Sequence, residues 1–418
     1  MNRRQSHSVT NMSNSPILTS PLQVRIVKAI DDARGWLGFD QFMALALYAP
    51  GLGYYASDSR KFGLMPAGGS DFVTAPELSP RFGQTLARQV AQALQASGTA
   101  EVWEFGAGSG ALAQQLLGTL GVLVERYTIV DLSGSLRERQ CARLAAYGDK
   151  VRWVTALPPQ MRGVVLGNEV LDAMPVKLLA RLDGLWHERG VVVAPTLSTS
   201  SDALPPGGAV LAWGGPARRT ENLLEPACFI YADKLTELRP PLEIAGTHDY
   251  LTEIHPQAEG FVRTLADRLK TGAVFLLDYG FPEHEYYHPQ RSMGTLMCHR
   301  AHRADADALA DVGEKDITAH VNFTGIALAG QEAGLQVAGY TSQGRFLLNC
   351  GLLDGMDDMD DMQSASLAER SMLQKLVNEH EMGELFKVIA FVTENVRNAD
   401  GTPWEPMGFS AGDRRHTL

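Results

Sequence analysis

The sequence predicts an α/β protein built on a largely parallel sheet. From residue 101 onward, strand-like and helix-like segments alternate with short turns, which is typical of a parallel sheet with right-handed crossovers. The first strand runs into the glycine turn Gly106–Gly110, where alternate glycines allow a tight turn and the close approach of a ligand. The next strand ends at the acid Asp131. Together these features predict a Rossmann-like sheet with a nucleotide-cofactor site at one edge.

Composition limits the classes of protein that fit. The chain has 418 residues, 45% of them hydrophobic, and can bury one large core or two ordinary ones. No apolar run approaches the roughly 18 residues needed to cross a bilayer, so membrane insertion is not expected. Acids outnumber bases by 48 to 37, and the net charge of −11 opposes binding to nucleic acid. The four cysteines form no CxxC pair, which predicts neither a disulfide framework nor a metal site.

Helix signals dominate the chain before the sheet. Residues 1–20 are rich in Ser and Asn and are predicted to be a disordered tail, although their composition also fits a transit peptide. Three helices follow: Ser20-Pro21 begins the first, Pro50-Gly51 ends the second and Gly98 ends the third. Residues 21–98 are therefore predicted to form an N-terminal helical extension.

The sheet domain is predicted to be interrupted once. Its first four strands are expected at 101–105, 126–130, 151–154 and 164–168. Residues 176–254 lose the βα rhythm and contain hairpin-like pieces, which predicts an insertion over the ligand edge of the sheet. The pieces are the strands Lys177–Leu182, Leu185–Ala194 and Ala209–Trp213, with a Ser/Pro/Gly linker at Leu197–Gly208.

The rhythm resumes after the insertion. A helix at Pro256–Leu269 and an apolar strand at Ala273–Asp278 are predicted first. Leu335–Leu348 and Leu385–Val392 are then expected as antiparallel strands. The sheet domain thus comprises residues 99–175 and 255–393, and residues 394–418 are predicted to be a C-terminal tail.

The glycine turn favours S-adenosylmethionine as the cofactor. An acid lies two residues before the first glycine, and this placement distinguishes S-adenosylmethionine sites from dinucleotide sites, since that cofactor has an amino-acid end and no pyrophosphate. The predicted binding residues here are Glu104, Gly106, Ala107, Gly108 and Gly110. Gly106, Gly108 and Ala111 also fit the looser dinucleotide spacing, so an NAD(P)-dependent oxidoreductase remains an alternative.

Asp131 supports either kind of cofactor. It lies 21 residues beyond Gly110, a spacing that suits a carboxylate accepting hydrogen bonds from both ribose hydroxyls. The alternative is that Asp131 caps the helix that follows.

Polar side chains also follow the fourth predicted strand. Asn168, Glu169 and Asp172 lie at its carboxyl end, where open α/β sheets bind ligands. Glu169 and Asp172 are three residues apart, so a helical turn would place both carboxylates on one side. Alternatively, Asp172 caps a short helix and Glu169 is solvated.

Two further segments contain candidate site residues. Asp71 and Thr74 belong to a polar loop that is predicted to fold over the cofactor, although a simple polar turn explains it equally well. Asp316–Phe323 alternates polar and apolar residues, so Asp316, Thr318, His320 and Asn322 would share a face in an extended chain. A lone His on such a face is also compatible with a purely structural role. Asp278–Gly280 is predicted to be a turn.

Ten short segments, in order and with sensible spacing from about residue 21 to about 393, together resemble the MidA-like family. They are Leu47–Pro50, Gly53–Tyr55, Gly69–Glu77, Phe82–Gly83, Glu104–Gly110, Asn168–Val176, Asp278–Gly280, Gly294–Leu296, Asp316–Val321 and Met382–Lys387. The sequence departs from the family at three positions: Ser70 replaces a usual Gly, Asp131 a common Glu and Asn322 a common Asp.

The resemblance implies a class I methyltransferase fold with an added substrate-covering region, and S-adenosylmethionine as cofactor. The family includes a mitochondrial complex I assembly factor that methylates a protein arginine. This implies a protein substrate, which could be a respiratory-complex subunit, and a location in the cytoplasm of a bacterium or in the mitochondrial matrix. Glu169 and Asp172 would then grip the guanidinium, with His320 as proton acceptor. A non-catalytic assembly chaperone that retains the fold is the alternative, and a homodimer is a further hypothesis.

Overall fold

The computed structural model describes residues 20–57, 74–131, 134–194, 229–300, 303–354, 367–398 and 400–418. The predicted N-terminal tail, residues 1–20, lies outside these ranges apart from Ser20. Asp71, the linker Leu197–Gly208 and the predicted strand Ala209–Trp213 also lie outside them. Within the described ranges, no helix is both long and apolar enough to cross a membrane.

A central sheet of eight strands organises the molecule. Its strands are β2 (Glu101–Phe105), β3 (Arg126–Val130), β4 (Val151–Val154), β5 (Met161–Asn168), β10 (Leu269–Phe281), β14 (Val321–Asn322), β15 (Gln336–Ser342) and β16 (Phe386–Val392). Their order in the sheet is β15-β16-β10-β5-β2-β3-β4, with β14 beside β10. Five neighbouring strands, β10, β5, β2, β3 and β4, are parallel, whereas β16 runs antiparallel to both β10 and β15. The predicted parallel α/β sheet is therefore confirmed.

Helices cover both faces of this sheet, although α1 and α2 pack elsewhere, on the second sheet described below. The α-helices of the described residues are α1 (Pro21–Asp32), α2 (Phe39–Tyr48), α3 (Ala75–Leu78), α4 (Pro80–Ser97), α5 (Ala111–Leu120), α6 (Gly134–Leu144), α7 (Pro256–Arg268), α8 (Glu283–Tyr286), α9 (Phe323–Glu332), α10 (Gln343–Asn349), α11 (Leu367–Val377) and α12 (Met382–Leu385). The predicted start and stop signals operate as expected. The amide of Gln23 donates to Ser20 Oγ at 3.2 Å at the start of α1, and Gly98 ends α4 in the left-handed conformation with φ +61°.

The two faces of the sheet form separate apolar cores. On one face, Leu86 and Val90 of α4 pack with Leu116 of α5 and Phe275 of β10. On the other face, Val262 and Leu265 of α7 pack with Ile326 of α9 and Val165 of β5. Burial on both faces explains why the central strands are continuous apolar runs.

The predicted insertion forms a second sheet that includes part of the N-terminal extension. Its strands are β1 (Leu37–Gly38), β6 (Lys177–Leu182), β7 (Leu185–Val193), β8 (Phe229–Leu235) and β9 (Tyr250–Ile254). The order is β1-β7-β6-β9, with β8 beside β7. Leu37 of the extension pairs with Val191, and Phe42 of α2 packs edge-on against Phe229 at 5.9 Å. The extension and the insertion therefore share one apolar core.

A third, three-stranded sheet lies between β10 and α9 in the chain. It consists of β11 (Met297–Arg300), β12 (Arg303–Asp305) and β13 (Asp316–Thr318), all antiparallel. Its strand β13 begins the segment in which the sequence predicts a shared polar face.

Two predictions about the later part of the chain are wrong. The strand predicted at Leu335–Leu348 ends at Ser342, and the rest is helix α10, whose Phe346 and Leu347 face the core. Residues 394–418 are not a free tail, because Trp404 and Phe409 are each only 5% exposed. The amide of Gly408 also donates to Gln89 Oε1 of α4 at 2.8 Å. Both errors have the same cause: the packing partners are distant in the sequence.

Candidate functional site

A cavity of about 1300 Å³ lies at the carboxyl ends of the parallel strands. Ten of the predicted site residues line it: Thr74, Glu104, Gly106, Ala107, Gly108, Asp131, Asn168, Glu169, Asp172 and His320. Gly110, at the N-cap position of α5, does not line the cavity. Asp71 lies outside the described residues. The cavity is also bounded by Tyr48 of α2 and by Asp316 of β13, so the N-terminal extension and the third sheet contribute to it. None of the described residues of the insertion 176–254 lines it.

The glycine turn has a shape that requires glycine. Gly106, Gly108 and Gly110 have φ values of +61°, +53° and +81°, in the region that other residues rarely adopt. A β-carbon on Gly106 would lie 3.2 Å from Val170 Cγ2, tighter than an ordinary contact. The turn thus brings backbone to the cavity wall and leads directly into the first turn of α5.

Glu104 is a buried carboxyl at the wall of this turn. Its side chain is almost fully buried, and the hydroxyl of Tyr127 donates to its Oε2 at 2.7 Å. Burial raises the pKa of Glu104 from 4.5 to about 7, and the hydrogen bond from Tyr127 limits the rise.

Asp131 lies directly after β3 and is tied to the glycine turn through Gln140. The side-chain amide of Gln140 donates to Asp131 Oδ2 at 2.9 Å and to the carbonyl oxygen of Gly108 at 3.0 Å. Trp153 donates in turn to Gln140 Oε1 at 2.9 Å. The end of β3 and the glycine turn are therefore held in fixed positions relative to each other at the cavity wall.

The carboxylates after β5 lie on a loop that wraps around another acid. Asp278 Oδ2 accepts hydrogen bonds from the amides of Val170, Leu171 and Asp172, at 3.1, 2.9 and 3.3 Å. Glu169 has φ +54°, a strained conformation for a residue other than glycine that is often found at functional sites. The predicted helical turn is therefore wrong, because the positive φ of Glu169 takes the backbone out of the right-handed helical region.

Glu169 and Asp172 nevertheless face the same cavity. Asn168 Nδ2 donates to Glu169 Oε1 at 3.0 Å, and the amide of Ala75 also donates to the Glu169 carboxylate. Burial, followed by the neighbouring Asp172, raises the pKa of Glu169 to about 8. Tyr279 donates to Asp172 Oδ2 at 2.5 Å, and burial raises the pKa of Asp172 to about 6. The alternative interpretation of the sequence, in which Glu169 is solvated and Asp172 caps a helix, differs from this arrangement.

His320 and Asp316 bring the third sheet to the cavity. The His320 ring stacks on Phe281 with centroids 5.2 Å apart, and burial, followed by the positive charge of Arg291, lowers its pKa to about 4. Asp316 accepts hydrogen bonds from the Tyr55 hydroxyl at 2.8 Å. Asn322 does not share this face, because its side chain accepts from the amide of Gly325 and caps α9.

Several residues of the site were not predicted as functional. The turn predicted at Asp278–Gly280 is wrong, because these residues lie inside β10. Tyr55 and Glu77 are not among the predicted site residues. An acid at the end of a long apolar strand was the available signal for Asp278, since a buried carboxylate needs several donors.

Comparison with known proteins identifies the family. Residues 85–341 match the family described as S-adenosyl-L-methionine-dependent methyltransferases. The chain belongs to this family. A crystal structure from Burkholderia thailandensis, solved with bound S-adenosyl-homocysteine, is 44% identical and superposes with a TM-score of 0.81. The match covers 97% of this chain and all of that one. The class I methyltransferase fold that the sequence predicts is confirmed.

More distant relatives of this methyltransferase carry more specific names. A Drosophila melanogaster protein named protein arginine methyltransferase NDUFAF7 homolog, mitochondrial, is 26% identical, over 84% of this chain and 80% of its own length. The Danio rerio protein arginine methyltransferase NDUFAF7, mitochondrial, is also 26% identical, over 90% of this chain and 87% of its own length.

Family membership decides between the two cofactors that the glycine spacing allows. This methyltransferase uses S-adenosylmethionine, and the alternative of an NAD(P)-dependent oxidoreductase is rejected. The described residues fit that cofactor, because the positive φ values open the turn and two carboxyls lie at the cavity wall. Glu104 is the last residue but one of β2, and Asp131 directly follows β3.

Proposed function

We propose that this methyltransferase modifies an arginine side chain of a protein partner. The cavity is lined by the six acids Glu77, Glu104, Asp131, Glu169, Asp172 and Asp316, and no lysine or arginine is among the described residues that line it. Its two histidines, His299 and His320, both have lowered pKa values because of burial, so they add no positive charge near neutral pH. Such a lining favours a cationic acceptor.

Unpartnered acceptor atoms in the same cavity are the observation that carries the proposal. Asn168 Oδ1, Asp172 Oδ1 and His320 Nδ1 are buried and have no hydrogen-bond partner within the described parts of the chain. Buried acceptors without donors are rare in folded proteins and need an explanation. A guanidinium has five N–H donors and no acceptor, so one arginine side chain could satisfy several of these atoms at once, with His320 as the Nε2–H tautomer.

We assign the cofactor to the wall formed by β2, β3 and the glycine turn. Glu104, Ala107, Asp131 and the glycines of the turn would hold S-adenosylmethionine, with Thr74 and Asn168 beside them. When bound, this cofactor supplies an electrophilic methyl group on a sulfonium sulfur. The acceptor is then expected on the side of Glu169, Asp172 and His320.

The chain's own residues would position the acceptor and remove its proton. A guanidinium nitrogen must lose a proton on methylation, and a carboxylate pair can grip the remaining donors. In its ionised form Glu169, whose pKa is raised to about 8, is a stronger base than His320, whose pKa is lowered to about 4. In this proposal Asp172, fixed by Tyr279, orients the guanidinium, Glu169 takes the proton and His320 accepts a hydrogen bond.

The names of the distant relatives support the finer parts of the proposal. Both are called mitochondrial protein arginine methyltransferases, which favours a protein substrate and, by analogy, a subunit of a respiratory complex. In a bacterium the reaction would take place in the cytoplasm, and in a eukaryote in the mitochondrial matrix. A homodimer stays a hypothesis.

A labelling experiment with matched variants tests the proposal. The protein is incubated with S-adenosylmethionine that has a labelled methyl group and with lysate from cells lacking the enzyme, and the modified residue is identified by mass spectrometry. Glu169→Gln, which keeps the shape and removes the charge, should reduce transfer by roughly 100-fold and retain affinity for S-adenosylhomocysteine. The exposed Glu125→Gln is the control.

Three outcomes would contradict the proposal. A label on a residue other than arginine would overturn the acceptor, and wild-type transfer by Glu169→Gln would overturn the proton acceptor. Tight binding of S-adenosylhomocysteine without any transfer would favour the non-catalytic assembly chaperone.

A further inference from the structure

Three polar side chains from separate parts of the chain meet at the glycine turn. They are Glu77 of α3, Ser109 of the turn and Arg143 of α6. Arg143 Nη1 donates to Glu77 Oε1 at 3.0 Å and to Ser109 Oγ at 2.5 Å. The Ser109 hydroxyl in turn donates to Glu77 Oε1. Each of the three groups therefore contacts the other two.

This cluster holds Ser109, the one residue of the turn Gly106–Gly110 with a polar side chain. Ser109 lies between Gly108 and Gly110, both of which have positive φ and no side chain that could restrain the backbone. Glycine-rich segments lose much conformational entropy when a ligand or a fold orders them. Fixing Ser109 in advance would reduce that loss when the cofactor binds.

The segment that supplies Glu77 is itself anchored to α5. Gln115 Nε2 of α5 donates to the carbonyl oxygen of Pro76 at 2.7 Å, and the amide of Gly83 donates to Gln115 Oε1 at 3.1 Å. A β-carbon at Gly83 would lie 2.5 Å from Gln115 Cβ, so this approach requires glycine. Glu77 is thus held in place independently of Arg143.

The same segment reaches the acceptor side of the cavity. The amide of Ala75, two residues before Glu77, donates to the carboxylate of Glu169. Glu77 is mostly buried, with a side chain that is 13% exposed, whereas Arg143 is 32% exposed. The arrangement is therefore a partly shielded ion pair with a fixed geometry rather than a surface contact.

We propose that Arg143 and Glu77 are positioning residues that hold the glycine turn in the shape that binds S-adenosylmethionine. The N-terminal extension is then part of the cofactor site, because it supplies one of the two charges that fix Ser109. This inference concerns the cofactor alone and does not depend on arginine being the acceptor.

Calorimetric titration of the full-length protein with S-adenosylhomocysteine tests the proposal without requiring turnover. Arg143→Met, which keeps much of the side-chain length and removes the donors, should weaken binding by about tenfold, in line with the loss of charge-assisted hydrogen bonds. Glu77→Gln should weaken it to a similar extent. Because both charges act on Ser109, the double variant should bind little worse than the weaker single variant.

Two controls separate positioning from a general loss of structure. Arg126→Met removes an exposed arginine at the first position of β3 and should leave the affinity unchanged. Arg143→Lys keeps a charge and should bind with intermediate affinity. Thermal unfolding of the ligand-free variants shows whether each is folded, and the isosteric Glu77→Gln decides the question if Arg143→Met does not fold.

The proposal is overturned if the folded Glu77→Gln and Arg143→Met variants bind S-adenosylhomocysteine as tightly as the wild type. It is also overturned if the two losses are fully additive in the double variant, since independent effects cannot both act through Ser109.

Discussion

Replacing Glu104 by Gln should stabilise the free protein and weaken its binding of the cofactor. Burial raises the pKa of Glu104 from 4.5 to about 7, and each pKa unit corresponds to about 1.4 kcal/mol. The ionised form therefore destabilises the folded state by roughly 3 kcal/mol. Because the folded pKa is the higher one, this contribution is absent below pH 4.5, grows as the pH rises and is complete above about pH 7.

Unfolding and binding measurements at two pH values test both consequences. In denaturant titrations without ligand, Glu104→Gln should be more stable than the wild type by roughly 3 kcal/mol at pH 8 and by less than about 1 kcal/mol at pH 5. Wild-type affinity for S-adenosylhomocysteine should fall about tenfold between pH 8 and pH 6, where only about a tenth of Glu104 is ionised. The variant should bind more weakly at pH 8 and should lack this part of the pH dependence.

Comparing Glu104→Gln with the wild type isolates the effect of the Glu104 charge. Glu169 and Asp172 also titrate in this range, but they are present in both proteins, so their effects cancel in the difference. Glu125→Gln, on the exposed surface before β3, controls for a change in net charge. The reasoning would be refuted if Glu104→Gln were no more stable than the wild type at pH 8. An identical pH dependence of S-adenosylhomocysteine binding in both proteins would refute it equally.

Three other substitutions test separate parts of the fold and the site. Gly108→Val should abolish S-adenosylhomocysteine binding in calorimetry, because φ +53° is strained for a β-branched residue. Asp131→Ala should weaken that binding by about 1–3 kcal/mol if the carboxylate holds ribose hydroxyls; unchanged affinity would contradict this role. Phe409→Ala should lower the free energy of unfolding in denaturant titrations by about 3–5 kcal/mol, because the side chain is buried.

The sequence predicts well those features whose signals are local. The strands 101–105, 126–130 and 151–154 have the predicted bounds, because apolar runs between turn residues suffice to define buried parallel strands. The glycine turn was predictable for the same reason, since its conformation follows from the residues that form it.

The shape of the carboxylate loop was not predictable in this way. Asp278 organises the amides of Val170, Leu171 and Asp172 from more than 100 residues away in the chain, and no spacing rule connects them. The C-terminal segment is a second case. Its scattered apolar residues have no periodicity of their own and become a packed element only against α4 and β15.

A recurring pairing holds three of the buried acids that line the cavity. Three of its carboxyls each accept a hydrogen bond from a buried or partly buried tyrosine: Tyr127 on Glu104, Tyr279 on Asp172 and Tyr55 on Asp316. A hydroxyl donor stabilises the charged form of a carboxyl without neutralising it. An arginine or lysine in the same place would have cancelled the charge and competed with a cationic ligand. Tyrosines therefore fix the acids while leaving the negative potential of the cavity available to a sulfonium cofactor and a positively charged acceptor.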